Sequence, residues 1–316
     1  MKALRHLLSM EDLDRDNIEY LLNLTAGYVE VSQRKIPRIP ALRGKTVALA
    51  FYEDSTRTRI SFATAASRLS ADTITFDAKR SSVNKGESLR DTIETISALG
   101  VHGIVVRHPD SGASRQVCEW TDVVIINAGD GRNQHPTQAL ADLYTARAHF
   151  GALDNKRVAI IGDIKNSRVA RSNAIGFTKM GAEVIFVAPK TLLPPNLNGW
   201  PVAHTHDINE VLDNIDICYL LRMQLERSAA AAIPTLREFH HEYGLTSARA
   251  NRLKNDALIM HPGPINRDVE ISGEVAERPN SVIGEQVANG VPARMAVLFA
   301  LIGSRLDLVD SESAVA

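Results

Sequence analysis

Only two cysteines occur in the 316 residues, Cys118 and Cys218, each in apolar surroundings and neither in a Cys-x-x-Cys or Cys/His cluster. That scarcity argues against a disulfide framework and against a zinc site, and both are read as core thiols. An excess of one charge is missing too. The 36 Lys and Arg against 37 Asp and Glu leave a net charge of −1, so there is no global pull toward nucleic acid or an anionic membrane, and any anion site must be local. From Met1 to Glu30 no apolar run is long enough for a signal peptide or a transmembrane helix, which predicts a cytoplasmic chain. Several signature motifs are lacking as well. Ile160-Ile161-Gly162-Asp163 misses the second and third glycines of Gly-x-Gly-x-x-Gly, and there is no Gly-x-x-x-x-Gly-Lys-Ser/Thr loop, Gly-x-Ser-x-Gly elbow or His-Glu-x-x-His pair. Dinucleotide binding, triad hydrolysis and catalytic zinc lose support, and no cofactor or metal is expected.

What is present is an α/β pattern. Short apolar runs, Thr46–Phe51, Thr73–Phe76, Gly103–Val106 and Val123–Ile126, then Arg157–Ile161, Glu183–Val187, Ile215–Leu220 and Ala257–Met260, alternate with helix-length amphipathic segments. This predicts two domains, each a parallel sheet flanked by helices. A helix over 13–31 opens the chain. A helix over 135–150, with Pro136 suited to its first turn, links the halves. The last helix, 286–304, is expected to return to the first half. The domains are therefore 1–134 plus the C-terminal segment 286–316, and 135–285.

In parallel sheets ligands bind beyond the C-terminal strand ends, and here those ends are polar. The first run is followed by Ser55-Thr56-Arg57-Thr58-Arg59. Hydroxyls and two arginines at a helix start, where N–H groups lack partners and the dipole is positive, suit a dianion such as phosphate. A surface ion pair is the alternative for that turn. Ser81 to Ser88, Arg107-His108-Pro109 and His135-Pro136-Thr137-Gln138 follow the next three runs. In the second half, Gly162 to Arg168, Arg222-Met223-Gln224 and His261-Pro262-Gly263-Pro264 close three of the runs. Two separated arginines, Arg168 and Arg222, suit two carboxylates, though each also reads as a loop-holding ion pair.

Ser55-Thr56-Arg57-Thr58-Arg59 with His135-Pro136-Thr137-Gln138 resembles the transcarbamoylases, which move a carbamoyl group from carbamoyl phosphate to an amine. The Lys85-Gly86-Glu87-Ser88 loop, Arg222-x-Gln224 and His261-Pro262-Gly263-Pro264 are similar to its aspartate-specific branch, in order over residues 10–303. The ornithine branch typically carries His-Cys-Leu-Pro at the last motif, and a Ser-Met-Gly loop that is not found here.

The resemblance implies that the first domain binds carbamoyl phosphate and the second aspartate. Ser55, Thr56, Arg57 and Thr58 would hold the phosphate; Thr56, Arg107 and His135 would face the carbonyl oxygen and Gln138 the amide nitrogen. Ser81 and Lys85 would reach a neighbouring subunit's site, which implies a homotrimer with shared sites, Lys85 serving both substrates. Arg168, Arg222 and Gln224 would bind the carboxylates of aspartate. Gly263 stands where many relatives have leucine, so only backbone contacts at Gly263 and Pro264 are expected.

The product would be N-carbamoyl-L-aspartate, an early step of pyrimidine biosynthesis. Donors preorganised around the developing oxyanion, with His135 as a neutral donor and the departing phosphate as proton acceptor, would drive the reaction. Two readings stand beside it: an ornithine-type transcarbamoylase, and a non-catalytic structural homologue in a pyrimidine-pathway assembly. Binding of regulatory chains or a dihydroorotase is left open.

Overall fold

The structure is a computed structural model that describes residues 4–77, 87–224, 233 and 235–303. Two compact units make up the chain: Met1–Ala141 with Asn289–Ala316, and Asp142–Ala288. The divisions fall inside two helices, α5 and α10, defined below.

The first unit begins with α1 (Arg15–Gln33), started by a reciprocal Asp14–Asn17 capping box. Strands β1 (Thr46–Phe51), β2 (Asp72–Asp77), β3 (Gly103–His108) and β4 (Val124–Asp130) form an all-parallel sheet in the order β2-β1-β3-β4. Between them run α2 (Thr56–Arg68), α3 (Leu89–Ala98) and α4 (Ala113–Val117). The central strands are apolar and buried over Val47–Phe51 and Gly103–Val106 because both faces are covered there. Ala48, Ala50, Ile104, Val106 and Ile125 form one face of the core with Ile93 and Ile96 of α3. Fully burying each isoleucine contributes about 1.5–3 kcal/mol.

Helix α5 (Pro136–Phe150) leads into the second unit. There β5 (Arg157–Ile161), β6 (Glu183–Val187), β7 (Ala203–Thr205), β8 (Ile217–Leu220) and β9 (Leu258–Met260) form a second parallel sheet, ordered β7-β6-β5-β8-β9. Helices α6 (Arg168–Lys179), α7 (Leu236–Tyr243), α8 (Ser247–Ala250) and α9 (Gly273–Ala276) accompany it. Helix α10 (Ile283–Leu298) continues as a π-helical turn, Phe299–Gly303. Its later part packs within the first unit, where Arg294 donates to Ser61 Oγ at 3.1 Å and Phe299 meets Tyr28 edge-on. The segment Ile283–Gly303 has the length and hydropathy of a membrane span, but 67% of that apolar window is buried inside the protein, as in a core helix.

Three features differ from the sequence expectation. Strand β4 runs on through Asn127 to Asp130, because His108 pairs with Asp130 after a register shift in β3. Edge strand β7 has no apolar run to announce it, since Ala203 and His204 are exposed. Helix α10 starts at Ile283, three residues before the expected 286. Cys218 is a core thiol, whereas Cys118 is half-buried against the margin of the first unit's core; burial pushes Cys118 up to about 11 and Cys218 up to about 12.

Candidate functional site

In the first sheet the strand order reverses direction between β1 and β3, the switch point where open α/β sheets bind ligands. Register aligns Phe51 of β1 with Arg107 of β3, so the turn into α2 and Arg107 leave the sheet side by side. Tyr52 N–H donates to Arg107 O at 2.8 Å. The guanidinium of Arg107 ties three segments: Nη1 donates to Ala128 O of β4 at 3.1 Å, and Nη2 lies 3.5 Å from Glu53 Oε1 beyond β1. Its side chain is only 12% exposed, which strengthens these contacts.

Ser55 is the N-cap residue of α2, and Thr56, Arg57 and Thr58 form its first turn. Ser55 does not cap with its side chain, contrary to the simplest expectation for a serine there, and no acidic residue lies in that turn. Ser55 and the exposed Arg57 thus sit at the positive end of the helix dipole, which the first-turn N–H groups supply, while Thr58 is buried. By contrast α3 is closed by a reciprocal capping box between Ser88 and Asp91.

After β4 the chain turns on the buried carboxylate of Asp130. Oδ1 accepts from Asn127 Nδ2 at 2.8 Å and Gln134 N–H at 3.0 Å; Oδ2 accepts from Gly112 N–H at 2.7 Å and Asn133 Nδ2 at 3.0 Å. At Gly131, with φ +48°, a Cβ would sit 2.4 Å from Ser111 Oγ, so only glycine fits. This turn delivers His135, buried, and Gln138, half-buried, at the start of α5.

The second sheet has its switch point between β5 and β8. Ile161 pairs with Leu220, and Leu221 N–H donates to Ile161 O at 2.9 Å. Gly162, at φ +122°, lets the two exits approach, because a Cβ would stand 2.9 Å from Leu221 O. The fully buried carboxylate of Asp163 joins them: it accepts from Asn166 Nδ2 at 2.9 Å and from Gln224 N–H at 3.3 Å. Asn166 leads into α6, whose N-cap Ser167 accepts from Ala170 N–H at 3.1 Å. Arg168 opens that helix at 5% exposure; Arg222 and Gln224 follow β8, half-buried.

The third exit of that sheet follows β9. Gly263 N–H donates to His261 Nδ1 at 2.8 Å, which leaves the imidazole proton on Nε2 to donate to Glu270 Oε1 at 3.2 Å. Glu270 Oε1 also accepts from Asn266 N–H at 2.6 Å, so the His261–Glu270 pair frames the turn that contains Gly263 and the cis Gly263–Pro264 bond.

The first unit thus brings together Ser55, Thr56, Arg57, Thr58, Arg107, His135 and Gln138 at one sheet edge, and the second brings together Arg168, Arg222, Gln224, Gly263 and Pro264 at its own. Ser81 and Lys85 lie outside the described residues. Glu53, Asp130 and Asp163, which hold these exits, were given no role from sequence. A Gly-Asp pair followed three residues later by asparagine is the local signal that Asp130 and Asp163 share.

Comparison with known proteins gives consistent matches. Residues 5–148 match the carbamoyl-P binding domain of aspartate/ornithine carbamoyltransferase, and residues 154–301 match the Asp/Orn binding domain. The chain is 53% identical over 300 residues to the aspartate carbamoyltransferase catalytic subunit of Acidothermus cellulolyticus, covering 95% of this chain and 93% of that one. It is 50% identical over 303 residues to the same subunit of Thermobifida fusca, covering 96% and 97%. Among solved structures, aspartate transcarbamoylase from Trypanosoma cruzi in complex with carbamoyl phosphate and aspartate has a TM-score of 0.87 at 30% identity, over 94% of this chain and 97% of that one.

Proposed function

The chain belongs to the aspartate/ornithine carbamoyltransferase family, and from that premise we propose how its residues perform the reaction of the aspartate branch. The enzyme transfers the carbamoyl group of carbamoyl phosphate to the α-amine of L-aspartate, giving N-carbamoyl-L-aspartate and phosphate, a step of pyrimidine biosynthesis carried out in the cytoplasm.

The first unit takes carbamoyl phosphate. Ser55, Thr56, Arg57, Thr58 and the first-turn N–H groups of α2 grip the phosphate. Thr56, Arg107 and His135 donate to the carbonyl oxygen, where negative charge grows as the amine attacks; Gln138 meets the amide, and the backbone at Gly263 and Pro264 contacts it as well. Each such donor is worth about 2.7–4 kcal/mol by removal in comparable oxyanion sites. The tetrahedral intermediate expels phosphate, which accepts the amine proton. Ser81 and Lys85 act in the site of a neighbouring subunit of a homotrimer.

The second unit takes aspartate through Arg168, Arg222 and Gln224, with Lys85. The observation that carries the choice of acceptor is a pair of arginines at two adjacent strand exits, whose loops Asp163 joins through Asn166 and Gln224. Two guanidinium forks match two carboxylates; ornithine, with a cationic side chain, would leave one fork unmatched beside a like charge.

The test is turnover of carbamoyl phosphate with aspartate, ornithine or N-acetylornithine, measured as carbamoylated product. Product is expected with aspartate alone; turnover with ornithine and not aspartate refutes the assignment. Mixing Lys85→Ala with Arg57→Ala subunits should restore part of the activity each lacks, because mixed trimers contain sites with neither lesion. No recovery after proven subunit exchange would refute the shared site.

A further inference from the structure

The second unit also contains a buried polar cluster to which the reaction gives no role. Asp142 on α5 is fully buried, and its carboxylate accepts three hydrogen bonds: from Asn173 Nδ2 at 2.9 Å, from the Tyr219 hydroxyl at 2.6 Å and from Gln286 Nε2 at 3.0 Å. The donors come from α6, β8 and α10, and each is itself at most 2% exposed. Burial and the adjacent carboxylate hold the Tyr219 phenol well above its usual range, so its hydroxyl stays a donor. Gln286 turns its other end to the backbone: Oε1 accepts from His261 N–H at 2.8 Å.

Stability alone is a poor account of this arrangement. A buried carboxylate with its polar partners can often be replaced by packed apolar side chains at no loss of stability. The cluster does something an apolar core does less well, which is to fix direction. Tyr219 of β8 lies three residues before Arg222, which follows that strand; Asn173 lies on the helix that Arg168 opens; Gln286 holds the peptide that precedes Pro262-Gly263-Pro264. One carboxylate therefore sets α6, β8 and the end of β9 against one another.

We propose that Asp142 is a positioning residue for the acceptor site, acting through Tyr219 and Asn173 to hold Arg168 and Arg222 at the separation that two carboxylates of one small acceptor require. This rests on the assignment of those arginines to aspartate. Sites of this kind need their groups placed within about 0.5 Å, so loss of one supporting bond is expected to raise the aspartate KM about tenfold.

The experiment compares Tyr219→Phe, Asp142→Asn, Asp142→Leu and Arg222→Ala with the unaltered enzyme, reading aspartate KM, kcat, carbamoyl phosphate binding by calorimetry and thermal midpoint. Tyr219→Phe keeps the ring and removes one hydroxyl, so it remains informative should the Asp142 variants fail to fold. The expected result is an aspartate KM raised about tenfold in Tyr219→Phe, and raised in any Asp142 variant that folds whatever the direction of its midpoint shift. In Tyr219→Phe carbamoyl phosphate binding should stay within about twofold, because the lost hydroxyl supports the Arg222 exit and leaves the Gln286–His261 link to the Gly263–Pro264 turn in place. A lowered midpoint with unaltered aspartate KM in Tyr219→Phe would reduce Asp142 to a structural group and overturn the proposal while Arg222→Ala still raises KM. If Arg222→Ala leaves the aspartate KM unchanged, the acceptor assignment itself fails and this inference falls with it.

Discussion

Helices α2 and α6 both start at a serine, both follow a strand at a sheet's switch point, and both carry an arginine in a first turn that has no acidic residue. Their serines behave differently. Ser167 caps α6 through Ala170 N–H, and Arg168 is buried behind a loop held by Asp163. Ser55 leaves α2 without a side-chain cap, and Thr56 and Arg57 are exposed. In the proposed assignment the first site is completed by its ligand: a phosphate takes the place of the missing cap. The second is completed by the protein, and the ligand fits what hydrogen bonds have already set. Function and stability should therefore separate at α2 and travel together at α6.

The largest expected effect is at α2. Arg57→Ala should lower kcat about 10³-fold, the upper range for losing one donor at a developing charge, with the thermal midpoint unchanged. A large fall in midpoint would mean that Arg57 serves the fold, and the contrast would break. Next comes Asp163→Ala, for which kcat/KM for aspartate should drop about 10²-fold, as for displacement of a binding group by about 1 Å. Here stability should fall as well, by about 1–3 kcal/mol in urea unfolding, because buried N–H donors of Asn166 and Gln224 lose their acceptor. The smallest effect sharpens the comparison most. Ser167→Ala should cost about 1 kcal/mol of stability, and Ser55→Ala no more than a few tenths, since it removes no cap. Ser55→Ala should instead raise the KM for carbamoyl phosphate. Equal stability losses in the two variants would show that α2 is capped in solution as α6 is.

Strands β1, β5 and β6 were legible residue for residue, because each is a single polar residue, Thr46, Arg157 or Glu183, leading into an unbroken apolar run. The end of β4 was not, since Asn127-Ala128-Gly129-Asp130 reads as a turn and becomes strand only through pairing with β3. Nor was β7, whose residues face water at a sheet edge. Arginines and histidines at strand exits could be singled out from pattern. The long-range partners of the carboxylates that hold them could not: Glu53 meets Arg107 from 54 residues away, Asp163 meets Gln224 from 61, and Asp142 meets Gln286 from 144. Contacts of that range leave no local periodicity. They are fixed only when the sheet order is fixed.

In the proposed assignment Arg57 of the first unit serves carbamoyl phosphate and Arg222 of the second serves the acceptor, and binding of carboxyl-free carbamoyl phosphate tests that division most directly. Calorimetric titration of the intact enzyme, Arg57→Ala and Arg222→Ala with carbamoyl phosphate should show Arg57→Ala weakened about 10–100-fold, as for loss of a hydrogen bond to a charged group. Arg222→Ala should bind it as the intact enzyme does. Unweakened binding by Arg57→Ala, or binding lost in Arg222→Ala, would contradict the division of labour between the two units.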